Sequence, residues 1–587
     1  MNLWKSPHFY EERKKINKSA VAIDGRFYFI KRMRKKSTKF IFVVGGVISG
    51  VGKGVATSSI GLLLQRFGYK VSAVKFDPYL NVDAGTMNPI EHGEVFVTKD
   101  GMECDQDIGN YERFLNQDIT RVNYMTNGQI YLSVIERERN LGYGGKCVEV
   151  IPHIPQEVIL RLNRAIKETS ADILMVEVGG TIGEYQNQLF LEASRVLHLQ
   201  NPNSVLWVLV SYLPVPSKLG EMKTKPTQHA VRMLNSSGIQ PDIIIGRGPY
   251  SIDSLRKEKI AIACNVYPQD IISAPDIESI YDVPFNFEKE RLGERILEKL
   301  KLKPKKLQMT DWQRFVNRRK NVKKEVNIAI VGKYFSTGNF VLSDSYISVI
   351  EAIKHASYYK NVKPAFSWLN AEEFEKNRSA LSKLKKYDAV IVPGGFGSRG
   401  IEGKIKVAEF CRKNKVPYLG LCYGLQIAVI EFARNVLGMK GANTTEIDPK
   451  TKYPIVDILE NQKEKIAKKD YGGSMRLGNY DCRLLAGSKA LRAYKNCQWQ
   501  FKNTKENLIE ERHRHRYEVS NDLIKDFFKK GMIISGINPE LNLVEIIELK
   551  NHPYFIASQF HPEFLSRPLR PHPLFVGLIG AVINRKK

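Results

Sequence analysis

The stretch FVVGGVISGVGKGVATSSI, Phe42 to Ile60, constrains this chain more than any other. A short apolar run comes first, then five glycines and a lysine, then a helix-like apolar segment. Gly45, Gly46, Gly50, Gly52 and Gly54 let backbone N–H groups converge on phosphate oxygens at a helix N-terminus. Lys53 adds a point charge. The spelling departs from the standard GxxxxGK[ST] loop. Val47 stands where the first glycine belongs, and Gly54 replaces the hydroxyl residue that normally reaches magnesium. The strand–loop–helix context still predicts a nucleotide site, against the weaker alternative of a Gly-rich turn that binds nothing. Some other oxygen must then serve the metal.

The surrounding chain supplies the frame. From Phe40 to about Leu302, strand-like runs (FIFVV, VSAVKF, ILMVEV, SVLWVLVSY, DIIIGR) alternate with helical patterns, which predicts a mostly parallel α/β sheet. A second series, VNIAIVG, AVIVPGG and PYLGLCYG, predicts another α/β domain. At 587 residues and 43% hydrophobic the chain can hold two cores, since single cores rarely grow past about 250–300 residues. The expected division is a basic head (1–38), a first domain (39–302), a linker (303–325) and a second domain (326–587). The linker reading rests on basic residues, Pro304 and poor apolar periodicity. The head carries ERKK and KRMRKK but no apolar h-region, and it contains Glu11, Glu12 and Asp24. It therefore reads as neither a secretory signal nor a transit peptide. A disordered extension, or a start that belongs at Met33, accounts for it.

Composition excludes several classes. No apolar run reaches the ~18 residues a membrane span needs. Seven cysteines, scattered and odd in number, suit reduced thiols in a cytoplasm. The net charge of +28 is spread along the chain rather than gathered in stripes. That favours a Lys-rich enzyme handling phosphorylated substrates over a nucleic-acid binder.

Carboxylates offer themselves for the missing hydroxyl. Asp105 and Asp107 lie in MECDQDIGNYERF, and Glu177 ends the run ILMVEV. Ligands of open α/β sheets sit outside the carboxyl ends of the strands, and Mg²⁺ takes one or two carboxylates besides phosphates and water. In the second half, GLCYGLQ places Cys422 between an apolar strand and a helix, flanked by glycines. That is a nucleophile elbow with cysteine in place of serine, and a helix N-terminus lowers a thiol pKa. His561 and Glu563 in QFHPEF supply the base and its orienting carboxylate on one face of an extended segment. Backbone N–H groups near Gly395 and at Tyr423 suit an oxyanion hole. His513, His515 and His552 read as structural or surface groups.

These motifs in this order resemble the CTP synthase family. GGVISGVGKG, KFDPYLNVDAGTMNPIEHGEVFVT, YERF, VEVGGTIGE, KTKPTQH and CNV are followed by VPGGFGSRG, GLCYGLQ, ERHRHRYEV and QFHPEF. The resemblance covers Phe40 to about Ile583, and the family's loop also lacks the Ser or Thr. It implies a P-loop amidoligase domain fused to a class I glutamine amidotransferase domain. The implied activity is ATP-dependent amination of UTP, with nitrogen from glutamine. For ATP it implies Gly50, Val51, Gly52, Lys53, Gly54, Val55, Lys75, Asp105, Pro275, Asp276 and Ile277, with Mg²⁺ on Asp105 and Glu177. For UTP, and CTP as inhibitor, it implies Ser49, Glu184, Tyr185, Gln186, Lys223, Thr224, Lys225, Pro226, Thr227, Gln228 and Lys259. Glutamine falls to Gly395, Tyr423, Gly424, Leu425, Gln426, Glu446 and Arg516, beside the triad Cys422, His561 and Glu563. Pro89, His92 and Val95 match an ammonia gate. Arg399 and Gly400 match the site of GTP, an allosteric activator, and Lys463 stands in the divergent lid where arginine is frequent. A homotetramer is implied, and filaments are compatible with it. Two other readings stay open: a related ligase that amidates carboxylates, and an inactive scaffold.

Overall fold

The apolar run after Thr38 forms the central strand of the first half. The structure is a computed structural model that describes residues 38–218, 220–333, 336–337, 340–341, 343–395, 397–458 and 475–586. The head and Lys463 of the lid lie outside the described residues, as does Phe396.

Seven strands make the first sheet: β1 (Lys39–Gly45), β2 (Val71–Asp77), β3 (Tyr124–Thr126), β4 (Ile173–Val178), β5 (Val205–Tyr212), β6 (Ile243–Gly248) and β7 (Ile271–Pro275). Their order is β3-β2-β4-β1-β5-β6-β7, and every pairing is parallel. A parallel sheet is covered on both faces, so its strands read as continuous apolar runs rather than alternating ones. FIFVV does so. Ile41 and Val43 join one core while Phe40, Phe42 and Val44 join the other. Strand order reverses at β1, whose neighbours are β4 and β5, and helix α1 (Lys53–Arg66) leaves from β1. The crevice expected at such a switch point lies over the glycine loop. Register sets its chemistry, because Glu177 lies opposite both Val43 and Lys75.

Helix α2 (Asp107–Leu115) covers the first turns of α1. It follows a short hairpin, Phe96–Val97 with Glu103–Cys104. The segment expected to be a bare linker departs from expectation. Thr310–Asn321 forms helix α3. Trp312, Phe315 and Val316, at i, i+3 and i+4, are buried against Phe114 and Tyr281. Charged residues outnumber these three apolar ones, and the narrow stripe escaped a reading by composition. Trp312 Nε1 donates to Tyr281 O at 3.0 Å, so the indole is satisfied as well as buried.

The second sheet has ten strands: β8 (Glu325–Gly332), β9 (Lys363–Asn370), β10 (Ala389–Val392), β11 (Tyr418–Leu421), β12 (Arg476–Leu484), β13 (Phe501–Asn503), β14 (Leu508–His515), β15 (Met532–Ile537), β16 (Val544–Leu549) and β17 (Phe555–Ser558). Their order is β9-β8-β10-β11-β17-β16-β15-β12-β14-β13. The first five are parallel and the rest antiparallel. Helix α4 (Ile347–Tyr359) packs on one face, and helix α5 (Tyr423–Asn435) starts directly after β11.

Candidate active sites

At the carboxyl edge of the first sheet, Lys75 is the centre of a buried ion cluster. Its Nζ lies 2.6 Å from Asp107 Oδ2 and 2.9 Å from Glu177 Oε1, with Asp77 at 3.8 Å and Asp105 at 3.9 Å. Burial alone would drive this amine down, but the carboxylates, Asp107 and Glu177 foremost, hold it well above the usual lysine range. Asp107 sits below the usual carboxylate range, because Lys75 outweighs the cost of burial. Burial pushes Asp105 up to about 8 and Asp77 up to about 6. Glu177 is also pushed up by burial, and its second oxygen accepts from Tyr111 at 2.5 Å. Lys53 Nζ donates to Gly180 O at 2.6 Å, and burial lowers its pKa.

The space around Gly54 shows which carboxylate reaches the glycine loop. A Cβ at that position would lie 2.0 Å from Asp107 Oδ1. The glycine is therefore the vacancy that admits a carboxylate from α2 where other loops carry a hydroxyl. Gly52 adopts φ +86°, and a Cβ there would meet Arg247 Nη1 at 2.7 Å. Arg247 bonds Val51 O at 3.2 Å and Asp276 Oδ1 at 2.6 Å, tying the loop to the segment after β7. It escaped the sequence reading, although its place at the end of DIIIGR was a signal.

The expected metal pair, Asp105 with Glu177, is not the pair gathered at Lys75. Asp107 joins Glu177 there. Asp105 turns toward His92, with Nε2 to Oδ2 at 3.6 Å, and toward Asp77. Both aspartates sit in one motif, and the turn into α2 sets Asp107 closer to Lys75, while Asp105 groups with Asp77 and His92. Hard carboxylate oxygens at a phosphate loop suit Mg²⁺, and the close fit of Asp107 over Gly54 is the structural observation that supports this donor set.

The residues that the resemblance assigns to UTP follow β1, β4, β5 and β6 in the chain. Ser49, Tyr185, Gln186, Lys225 and Lys259 are exposed. Glu184 is bonded to Thr181, and Lys223 to Glu221. Thr224, Thr227 and Gln228 are buried at a helix start, and Pro226 is half-buried beside them. Pro275 and Ile277 flank Asp276 at the sheet edge.

Gly54→Ser restores the usual loop spelling and should nevertheless damage the site. The new Cβ collides with Asp107, so the activity that the resemblance implies, CTP formation from either nitrogen source, should fall about 10²-fold, the scale of losing one electrostatic group. Steady-state rates with glutamine and with ammonium salts check this. An unimpaired variant would show that Asp107 is not needed where it lies.

In the second half, Cys422 stands at φ +51°, ψ −100° between β11 and α5, a strained turn that thrusts the thiol out. Cys422 Sγ approaches Arg514 O at 3.8 Å and receives Gln559 Nε2 at 3.7 Å. His561 Nδ1 pairs with Glu563 Oε1 at 2.7 Å, and Nε2 is buried with no hydrogen-bond partner among the described residues. Burial pushes His561 down, yet Glu563 and Cys422 overcome it and raise the imidazole to about 10. A Cβ on Gly394 would lie 3.0 Å from His561 Cε1 and 3.7 Å from Cys422 Cβ, so any larger residue there would press on the imidazole. The next residue, Gly395, begins the expected oxyanion loop. Glu446 Oε1 accepts from Gly397 N at 2.8 Å. Tyr423, Gly424, Leu425 and Gln426 form the buried first turn of α5, and Gln426 Nε2 donates to Tyr517 O at 3.1 Å. Arg516 is half-buried. Lys404, fully buried beside Tyr423, was missed. Nothing in its surface-like surroundings, IEGKIK, gave it away.

His513 and His515 are buried and bonded to each other at 2.8 Å, and His552 bonds Cys411 O at 3.0 Å. All three are structural groups. The seven cysteines are free thiols.

Glu563→Gln removes the charge that holds His561 up. The parent gains stability from this pair below pH 6.5 and loses it as pH rises through about 10. Thermal unfolding of the variant should show a flatter dependence over that window. The glutamine hydrolysis that the resemblance implies should fall about 10²–10⁴-fold. An unchanged pH profile would remove Glu563 from the triad.

The chain was compared with known proteins and solved structures. A profile described as CTP synthase N-terminus matches residues 39–302, and glutamine amidotransferase class-I matches residues 341–581. A protein named CTP synthase from Caldanaerobacter subterraneus is 47% identical over 93% of this chain and 99% of its own. One from Bacillus subtilis is 45% identical over 93% of this chain and 99% of its own. Among solved structures, the glutaminase domain of a Trypanosoma brucei CTPS with bound acivicin is 34% identical. It covers 44% of this chain and 94% of that one, with a TM-score of 0.40.

Proposed function

The chain belongs to the CTP synthase family, and on that premise we propose how its residues divide the work of a glutamine-hydrolysing ligase. The enzyme converts UTP to CTP with ATP and glutamine. One observation carries the division of labour: a single chain holds both a Cys–His–Glu elbow and a carboxylate-ringed lysine at a phosphate loop. We divide it at 39–302, 303–325 and 326–587.

The uracil O4 is a poor leaving group. Transfer of the γ-phosphoryl of ATP to O4 turns it into phosphate, which ammonia then displaces from C4 as the attacking nitrogen gives up one proton. Such a transfer is catalysed by positioning and charge stabilisation. The N–H groups of Gly50 to Val55 cradle the phosphates, and Lys53 and Lys75 neutralise the charge that develops. Asp107 and Glu177 would hold Mg²⁺, which would supply positive charge to offset the charge on the transferring phosphoryl; Asp105 stands behind them. Pro275, Asp276 and Ile277 receive the adenine, with Arg247 fixing their distance from the loop. Ser49, Glu184–Gln186, Lys223–Gln228 and Lys259 take UTP, and CTP as inhibitor. The exposure of Tyr185, 93%, suits a site completed by a neighbouring subunit of a homotetramer, and filaments are compatible with that surface.

In the amidotransferase half, the Cys422 thiolate attacks the side-chain amide carbon of glutamine. The C–N bond breaks as His561 gives a proton to the departing ammonia, and water then hydrolyses the thioester to glutamate. Backbone N–H groups at Gly395 and Tyr423 stabilise the oxyanion, with Glu446 and Arg516 holding the amino-acid end. Ammonia reaches the first half past Pro89, His92 and Val95. GTP activates at Arg399 and Gly400; Arg399 lies 2.8 Å from Glu372. Among the described residues, no helix is long and apolar enough to cross a membrane. We place the enzyme in the cytoplasm, without a nucleic-acid partner.

The test is direct. Purified protein is incubated with UTP, ATP, Mg²⁺ and glutamine, with and without GTP, and CTP is followed by its absorbance. CTP that needs all four components supports the reading. CTP from ammonia but not glutamine places the fault in the glutaminase or the passage, and none from either source overturns it.

A further inference from the structure

Helix α2 touches both chemistries. Its first residue, Asp107, holds Lys75 and fills the space over Gly54. One turn on, Tyr111 holds Glu177 at 2.5 Å. The next residue, Glu112, turns to the amidotransferase half. Its Oε1 accepts from Arg512 at 2.9 Å and from Ile119 N at 2.9 Å, and its Oε2 accepts from Arg567 at 3.0 Å. Both arginines share Asp118 Oδ1, at 3.4 and 2.5 Å. Glu112, Arg512 and Arg567 are almost wholly buried, so the contacts are unscreened, and removal of one partner leaves a buried charge unpaired.

Those arginines are next to the glutaminase base. The carbonyl of Arg512 accepts from His561 N at 2.7 Å. Arg567 lies four residues after Glu563 and directly after Ser566, whose N–H bonds Glu563 O at 3.3 Å. Phe564, between them, stacks on the His561 ring at 5.0 Å and tilts against Phe96 of the first half, also at 5.0 Å. The Arg512 guanidinium lies 5.5 Å from the centre of that same Phe96 ring. The His561–Glu563 segment thus rests on a bed built by the other half of the chain.

We propose that Glu112 is a positioning residue that couples the two sites. Through Arg512 and Arg567 it sets the orientation of His561 and Glu563. Because Asp107 and Tyr111 sit on the same nine-residue helix, nucleotide bound at the phosphate loop biases that orientation. Glutamine hydrolysis is then tuned by ATP and UTP occupancy through α2. This inference rests on the reading that the first half binds nucleotide and the second hydrolyses glutamine.

The test uses the full chain carrying Glu112→Gln. Three rates are measured: CTP formation from ammonium salts, glutamine hydrolysis alone, and glutamine hydrolysis with ATP and UTP. Ammonia-dependent synthesis should stay within about twofold of the parent, since Glu112 meets none of the phosphate-loop groups. Glutaminase kcat should fall about tenfold or more, with KM for glutamine little changed, and its response to nucleotides should vanish. Asp118→Asn, at a carboxylate whose side chain is 40% exposed, decides the matter if the first variant does not fold. It should give an intermediate loss of the same kind. A normal nucleotide response in whichever variant folds, or equal loss with both nitrogen sources, overturns the proposal. A parent that makes no CTP from ammonia would instead overturn the functional reading itself.

Discussion

Cys422→Ala is expected to abolish CTP formation from glutamine and leave formation from ammonium salts within about twofold of the parent. Loss of a nucleophile that acts as a unit with its base costs about 10⁶-fold in kcat, so glutamine-dependent activity should fall below detection. Three observations argue for that size. Cys422 occupies a strained turn at φ +51° that an ordinary buried cysteine would not need. His561 is held protonated by Glu563 and Cys422 against the pull of burial. A side chain at Gly394 would press on His561 at 3.0 Å. The ammonia-dependent rate should survive because the Lys75 cluster belongs to the other sheet. Parallel assays with the two nitrogen sources decide it. Loss of both in a folded variant would mean that the sites are not separable.

Lys53→Ala should remove CTP formation from both nitrogen sources. The amine starts α1, is only 9% exposed, and reaches Gly180 O beside Glu177. Burial lowers its pKa, so in the free protein the charge is held at some cost and is best compensated when phosphate oxygens are nearby. Removal of such a preorganised charge costs about 10²–10³-fold in kcat, or about 3–4 kcal/mol of barrier. Glutamine hydrolysis without nucleotides should be unaffected. A variant that keeps ammonia-dependent synthesis would take Lys53 out of phosphoryl transfer.

Both expectations were legible before any coordinates, because they rest on local rules. A glycine loop between an apolar run and a helix marks phosphate binding, and a cysteine between a strand and a helix marks an elbow. The parallel sheet was legible for a similar reason: strands buried on both faces carry unbroken apolar runs, and FIFVV divides its residues between two cores. Helix α3 was hidden. Its three buried apolar residues stand among eight charged or amide side chains in a segment of twelve, so composition outweighed a real periodicity.

Which carboxylate serves the phosphate loop was a different kind of question. Asp105 and Asp107 lie two residues apart in one motif, and nothing local ranks them. The answer depends on where α2 begins, since its first residue projects onto α1 over Gly54 while Asp105 turns back to His92. Contacts between the halves were equally beyond a linear reading. Glu112 and Arg512 are 400 residues apart in sequence, and an ion pair at that separation leaves no periodic or spacing signal. By itself, the sequence pointed to the α/β class of both halves, to the glycine loop, and to the elbow and HPE motifs, because each of these leaves a short local pattern. Only the tertiary structure decided which aspartate sits over Gly54 and how one half packs against the His561 segment of the other. Those choices are made by side chains that meet across packed elements, at positions the chain fixes only once both sheets have formed.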